Sequence, residues 1–156
     1  MSRYGSRLGT KALDGARAVV PGQLPSAGFQ DRLLGIDPAL KDVSFAAETY
    51  DAVTLAALAA AKAEDDAGRS IAAGLIAVSG GTADGAGAAG TAPCTSYKDC
   101  LAGKAAGADI NYDGESGPIA FDANGDITSA TFTVFTYGAD NVPAATGVET
   151  AGRTAG

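Results

Sequence analysis

The stretch NYDGESGPIAFDANGDITSATFTVFTY, Asn111 to Tyr137, sets the reading of the whole chain. It holds five of the ten aromatic residues, and its second half alternates along Thr131, Phe132, Thr133, Val134, Phe135, Thr136 and Tyr137. Alternation of this kind predicts a β-strand, and apolar groups on both of its faces predict cover on both sides. Ahead of it, Phe121-Asp-Ala-Asn124-Gly125-Asp126-Ile127 reads as strand, tight turn and strand. Asn-Gly accepts the positive φ angles of a two-residue hairpin turn. Pro118 has no N–H for a ladder and marks a strand start or an edge.

Upstream, Ala16–Val20 is a short β-prone run closed by Pro21-Gly22. Residues 1–14 carry Arg3, Arg7 and Lys11 at helical spacing, consistent with a short amphipathic helix. Phe29–Leu34 suits a helical turn or two. Phe45–Glu64, FAAETYDAVTLAALAAAKAE, is the strongest helix: it is rich in alanine, with Tyr50, Val53, Ala57, Leu58 and Ala61 recurring at three-to-four spacing. Ser70 is positioned to cap a helix over Ile71–Val78, and Ser96 one running to about Ala106 with Tyr97, Cys100 and Leu101 inward. Between them, Gly80–Ala92 has almost no large side chain and reads as a flexible loop. The predicted class is α/β: one early strand, about three helices and a C-terminal β-hairpin. The small, polar residues 138–156 are expected to be a disordered tail.

Several chemistries are excluded or disfavoured. At 156 residues there is room for a real core, and the net charge of −7 offers no basic stripe for a nucleic-acid backbone. The chain has no histidine, so a serine triad cannot be assembled and the commonest general base is missing. Asp122-x-Asn124-Gly125-Asp126 resembles a fragment of a calcium loop. In a real EF-hand loop the glycine is sixth and a glutamate twelfth, whereas here Gly125 is fourth and Thr133 twelfth. The glycines after Val78 follow no strand and include no Gly-Lys-Ser/Thr, so they make no phosphate cradle. No enzyme, metal or cofactor is expected. No apolar run is long enough to span a membrane, and the N-terminus has no apolar signal core. Cys94 and Cys100, six apart, are read as a local disulfide pinning a loop to a helix start, in preference to two free thiols. A loop this short contributes only about 2–2.5 kcal/mol.

Four segments carry a resemblance to a family. Tyr112-Asp-Gly-x-Ser-Gly-Pro-Ile-x-Phe-Asp-x-x-Gly-Asp126, followed by the aromatic strand, resembles the C-terminal hairpin of branched-chain-type amino-acid-binding proteins that serve ABC importers. Phe45–Val53 is similar to the helix that follows their last interlobe crossover. Cys94–Cys100 is similar to a cysteine-bounded loop of actinobacterial members. Leu13-Asp-Gly, Pro21-Gly22, Phe29-Gln-x-Arg-Leu-Leu and Asp37-Pro38 are similar to the segment leading to that crossover.

The resemblance implies that residues 1–137 are the C-terminal part of a type I periplasmic-binding-protein domain, incomplete and spanning parts of both lobes. It matches only the last third of such proteins. It further implies an amino acid as ligand, an ABC permease as partner, an extracytoplasmic location and no chemistry. Phe45 transfers as an apolar wall for the ligand side chain, with Tyr50 a neighbouring contact or packing residue. No acid transfers to the position that pairs with the ligand's ammonium group. The isolated chain is therefore expected to show no measurable amino-acid affinity until the missing lobe is supplied. The rival expectation is a truncated, non-binding remnant or a small structural or interaction module.

Overall fold

The computed structural model describes residues 5–81 and 91–152. The chain is mixed α/β, with four α-helices, a three-stranded antiparallel sheet and a two-stranded parallel pair. The described residues divide into two compact units: residues 5–23 with 130–151, and residues 24–81 and 91–129 with 152.

The first unit is the sheet. Its order is β1 (Arg17–Pro21), β4 (Ser129–Tyr137), β5 (Pro143–Gly152). β1 runs antiparallel to β4, with Val19 opposite Val134. Along β4 every residue is half-buried except Thr133, which is buried and donates its hydroxyl to the Gly22 carbonyl at 2.8 Å.

The tail expected to be disordered over 138–156 is instead a strand over 143–152. Its side chains are small and nearly all exposed, so no apolar pattern announces it; main-chain pairing to β4 orders it. The turn before it is fixed by Asn141, whose backbone is left-handed (φ 59°). The Asn141 side chain accepts from Leu13 N at 2.9 Å and donates to Gly9 O at 2.8 Å. Of the helix suggested over 1–14, the described residues form one 3₁₀ turn, Gly5–Arg7.

The second unit contains α1 (Ala27–Ile36), α2 (Ala46–Ala63), α3 (Gly68–Val78), β2 (Ala92–Cys94), α4 (Tyr97–Ala105) and β3 (Ile110–Tyr112). β2 and β3 are parallel and joined through α4, as a parallel pair requires. The core is Leu55, Leu58 and Ala59 of α2 against Val78, Cys94, Cys100, Ile110, Tyr112 and Ile119. α3 approaches α2 closely because Gly74 lies over Ala59, where even a methyl group would be tight at 3.1 Å.

Several local expectations are corrected. The buried stripe of α2 is Ala47, Asp51, Thr54, Leu55, Leu58 and Ala59, whereas Tyr50 and Val53 face outward. With so many alanines on α2, hydrophobicity alone does not pick the buried face; Asp51 does, through its partners. α3 begins at Gly68, with Ala67 at its cap. Ser70 does not cap it and instead donates its hydroxyl to Asp65, whose other oxygen accepts Ala67 N at 3.1 Å. Ser96 caps α4, accepting Asp99 N at 3.1 Å, and Cys100 is fully buried, but Tyr97 is exposed. Residues 82–90, most of the Gly80–Ala92 loop, lie outside the described residues.

The turn at Asp122–Asp126 also differs from expectation. Only Gly125 has positive φ (82°), and Gly125 N donates to Asp122 O at 2.9 Å. This is a type I turn followed by a left-handed glycine, not a two-residue turn. Asp122 Oδ1 accepts from Asn124 N at 2.9 Å and Asp126 N at 3.1 Å. The flanking pairing is one bridge, Phe121 to Ile127, and residues 118–120 form no strand. Asp122 N donates to Asp126 O and Thr128 N to Ala120 O, both at 2.9 Å, so a short antiparallel hairpin does surround the turn, while β4 pairs with β5 in the sheet.

Candidate functional site

The residues singled out by sequence, Phe45 and Tyr50, stand at the start of α2. Phe45 is its N-cap, left-handed at φ 59°, and has no side-chain cap. Its carbonyl accepts both the amide and the hydroxyl of Thr49, at 2.9 and 2.8 Å, which starts the helix without a polar cap. The ring is half exposed at 50 %. It is therefore not a core residue; it is an apolar face on the surface of the unit. Tyr50 is 41 % exposed and meets Phe29 of α1 edge to face, with ring centroids 5.4 Å apart. That contact makes Tyr50 a packing residue with one open side.

Arg32 lies over the Phe29 ring at 5.0 Å and forms an ion pair with Glu115, which also accepts from Ser26 at 3.5 Å. The loop 113–117 is thereby held to α1 from outside. From inside it is held by Asp51, which is buried on α2. Asp51 Oδ1 accepts Tyr112 Oη at 2.7 Å and Glu115 N at 3.0 Å; Oδ2 accepts Ser116 N at 2.7 Å and Ser116 Oγ at 2.5 Å. Gly114 is required here, because a Cβ would fall on the Asp51 carboxylate and the Tyr112 hydroxyl. Burial, with donation to Asp51 next, pushes the Tyr112 phenol well above its ordinary value.

Glu48 is the residue that sequence reading passed over. It lies in the first turn of α2, between Phe45 and Asp51, and neither of its buried carboxylate oxygens has a hydrogen-bond partner. No pattern of residue types distinguishes it from an ordinary first-turn acid at the positive end of a helix.

Cys94 and Cys100 are bonded, their Cα atoms 5.2 Å apart, tying the end of β2 to the first turn of α4. Both sulfur residues belong to the core rather than to the Phe45 region. A groove of about 290 Å³ between α3 and the 121–125 turn is lined by Leu75, Ile76, Phe121 and Asn124, among others, and includes neither Phe45 nor Tyr50. Among the described residues no group of three ligating side chains could hold a metal, and no helix is long and apolar enough to cross a membrane. Compared with protein-family models, with curated proteins and with solved structures, the chain matches none.

Proposed function

We propose that this chain belongs to the amino-acid-capturing component of an ABC importer, as the C-terminal part of a receptor of the type I periplasmic fold. One observation carries the reading. Two of the segments that carry the resemblance, Phe45–Val53 and Tyr112–Asp126, are joined by a single buried carboxylate, Asp51, which holds the Tyr-Asp-Gly-x-Ser loop against α2. The joint fixes the start of α2 and leaves the Phe45 ring open to solvent as an apolar wall for a ligand side chain. The disulfide is in keeping with an oxidising, extracytoplasmic compartment. The permease of the importer is the partner this reading implies.

Such receptors enclose a zwitterion between two lobes and satisfy both its charged ends where water is excluded. An aromatic wall alone returns only about 1.5–3 kcal/mol. The chain is therefore expected to bind no amino acid at micromolar concentration by itself, and to do so once the other lobe is present. The test is calorimetric titration with leucine, isoleucine, valine and a wider amino-acid panel. It is run on the chain alone and on the chain mixed with the remaining N-terminal two-thirds of a branched-chain amino-acid-binding protein, which supplies the missing parts of both lobes. Heat of binding that needs both components supports the reading; silence in both settings overturns it in favour of a structural module.

A further inference from the structure

The three-stranded sheet has two edges, and they are built differently. The β1 edge is five residues long, begins with the charged Arg17 and ends on Pro21, which has no N–H to offer. Charge, proline and shortness are the devices that keep a sheet edge from pairing with another chain. β5 has ten residues, and every one from Ala144 to Gly152 is exposed. No proline interrupts that run, and its one charge is Glu149. Among the described residues the β5 main chain pairs with β4 and with no other element, so its outer row of N–H and C=O groups stands open.

This edge carries its own complement. Ala145-Thr146-Gly147-Val148-Glu149-Thr150-Ala151 reads the same in both directions about Val148, except that Gly147 mirrors Glu149. We propose that the β5 edge pairs with the β5 edge of a second copy of this chain, antiparallel and with the two-fold axis at Val148, closing a six-stranded sheet. In that register Val148, 58 % exposed in the single chain, gains apolar cover from its own counterpart. Thr146 meets the partner's Thr150, a favourable cross-strand pair. Thr146 already shares a hydrogen bond with Thr136 of β4 at 2.9 Å, so the joint extends a row of hydroxyls. Glu149 meets the partner's Gly147, which leaves its side chain room and keeps the two carboxylates from opposing each other. The alternative, β5 on the β1 edge of a second copy, would not close and would grow into a filament, and Arg17 and Pro21 stand against it. A joint of one strand pair is small, so the dimer is weak and its population follows concentration. None of this depends on the amino-acid reading above.

The experiment is sedimentation velocity on the intact chain between about 10 μM and 1 mM. The parent should pass from monomer to dimer and no further. Val148→Lys sets two ammonium groups against each other at the axis and should weaken the dimer at least about ten-fold. Gly147→Lys gives Glu149 an opposite charge across the joint and should tighten it, a gain that misfolding cannot imitate. A Cβ at Gly147 would lie 3.9 Å from Val134 Cβ, an ordinary contact, so the position has space. Crosslinking reads the register. The two native cysteines are bonded to each other, so Val148→Cys introduces the one free thiol of the chain. At the axis the two Cα atoms would lie about 4.5–5.5 Å apart, within reach of a disulfide. In Thr150→Cys the two thiols would be offset by four residues, about 13 Å, beyond reach. Val148→Cys should therefore oxidise to a covalent dimer while Thr150→Cys stays a monomer. The inference falls if the parent remains monomeric throughout that range, if Val148→Lys leaves a dimer intact, or if both cysteine variants crosslink equally. It falls also if association continues past the dimer, which would show β5 pairing with β1.

Discussion

The Tyr112 hydroxyl donates to Asp51 Oδ1 at 2.7 Å, across 61 residues of sequence and with both side chains buried. It is one of four donors on that carboxylate, the others coming from Glu115 and Ser116. A buried charge satisfied this completely organises its neighbours, because each donor left behind by its removal costs about 1–3 kcal/mol.

Asp51→Ala should therefore be among the most destabilising single changes in the chain, lowering the unfolding free energy by about 3 kcal/mol or more. Asp51→Asn should cost less, about 1–3 kcal/mol. Its oxygen can serve both Ser116 donors and its amide can face the Tyr112 hydroxyl, but the amide then opposes Glu115 N. Urea unfolding of the two variants checks this. A loss under 1 kcal/mol for the alanine variant would mean that the loop 113–117 stands without its anchor.

Tyr112 also sets a limit on the alkaline side. Its neutral form is favoured in the fold, so its folded pKa lies above the ordinary value of 10.0. The stabilisation is complete below pH 10 and is lost as pH rises from there through the raised folded value. In that window the unfolded chain has released a proton that the folded chain keeps, so stability should fall by about 1.4 kcal/mol per pH unit. Tyr112→Phe should be less stable at neutral pH and should lack this added alkaline slope. Unfolding curves of parent and variant between pH 8 and about 11.5 give the comparison; parallel curves would sink it.

The 122–126 turn depends on one glycine. A Cβ at Gly125 would meet nothing within 4 Å, so any cost of substitution there is backbone strain at φ 82°. Gly125→Val should cost about 1–2 kcal/mol, and Gly125→Asn clearly less, because asparagine tolerates the left-handed region. Adding calcium should leave the melting temperature of the parent unchanged. A calcium-dependent rise would show that Asp122, Asn124 and Asp126 bind the ion and not only their own main chain.

The disulfide closes a small loop. Replacing both cysteines with serine should lower stability by about 2 kcal/mol from loop entropy alone. The full cost should be larger, since Cys94 and Cys100 are 8 % and 0 % exposed and two hydroxyls would enter the core. Reductant added to the folded protein should act slowly for the same reason, and rapid thiol release under native conditions would contradict the burial.

The parts legible in the sequence are those where local chemistry and burial agree. Ser96 caps α4 as its position implies, and β4 forms where the alternation of Thr131–Tyr137 implies a strand. What escaped did so for identifiable reasons. β5 has no apolar alternation because its side chains are exposed, and what orders it is the main chain of β4 and the Asn141 turn. α2 buries Asp51 and turns Val53 outward, a choice made by Tyr112, Glu115 and Ser116 more than sixty residues downstream. At the candidate site the aromatics were visible as residue types. The unpaired state of Glu48 was not, because an absent partner leaves no mark in a sequence.

Phe45 offers a way to separate a wall from a packing residue. A large ring at an N-cap in the left-handed region costs about 1–2 kcal/mol of backbone strain relative to glycine. Half of the ring is exposed, so its burial returns only part of the value of a core phenylalanine. The two effects are similar in size and opposite in sign. Phe45→Gly should therefore leave the unfolding free energy within about 1 kcal/mol of the parent. Phe45→Ala keeps the strain and loses the contacts, so it should be the less stable of the two. This order, glycine above alanine, inverts what a core position or a helix interior would give. If the residue is a ligand wall, both variants should weaken amino-acid capture in the presence of the second lobe, glycine included, although glycine relieves the strain. Stability measured by urea unfolding and binding measured by calorimetry on the same three proteins settle the matter. A Phe45→Gly loss of about 3 kcal/mol or more would place the ring in the core and remove it from the site.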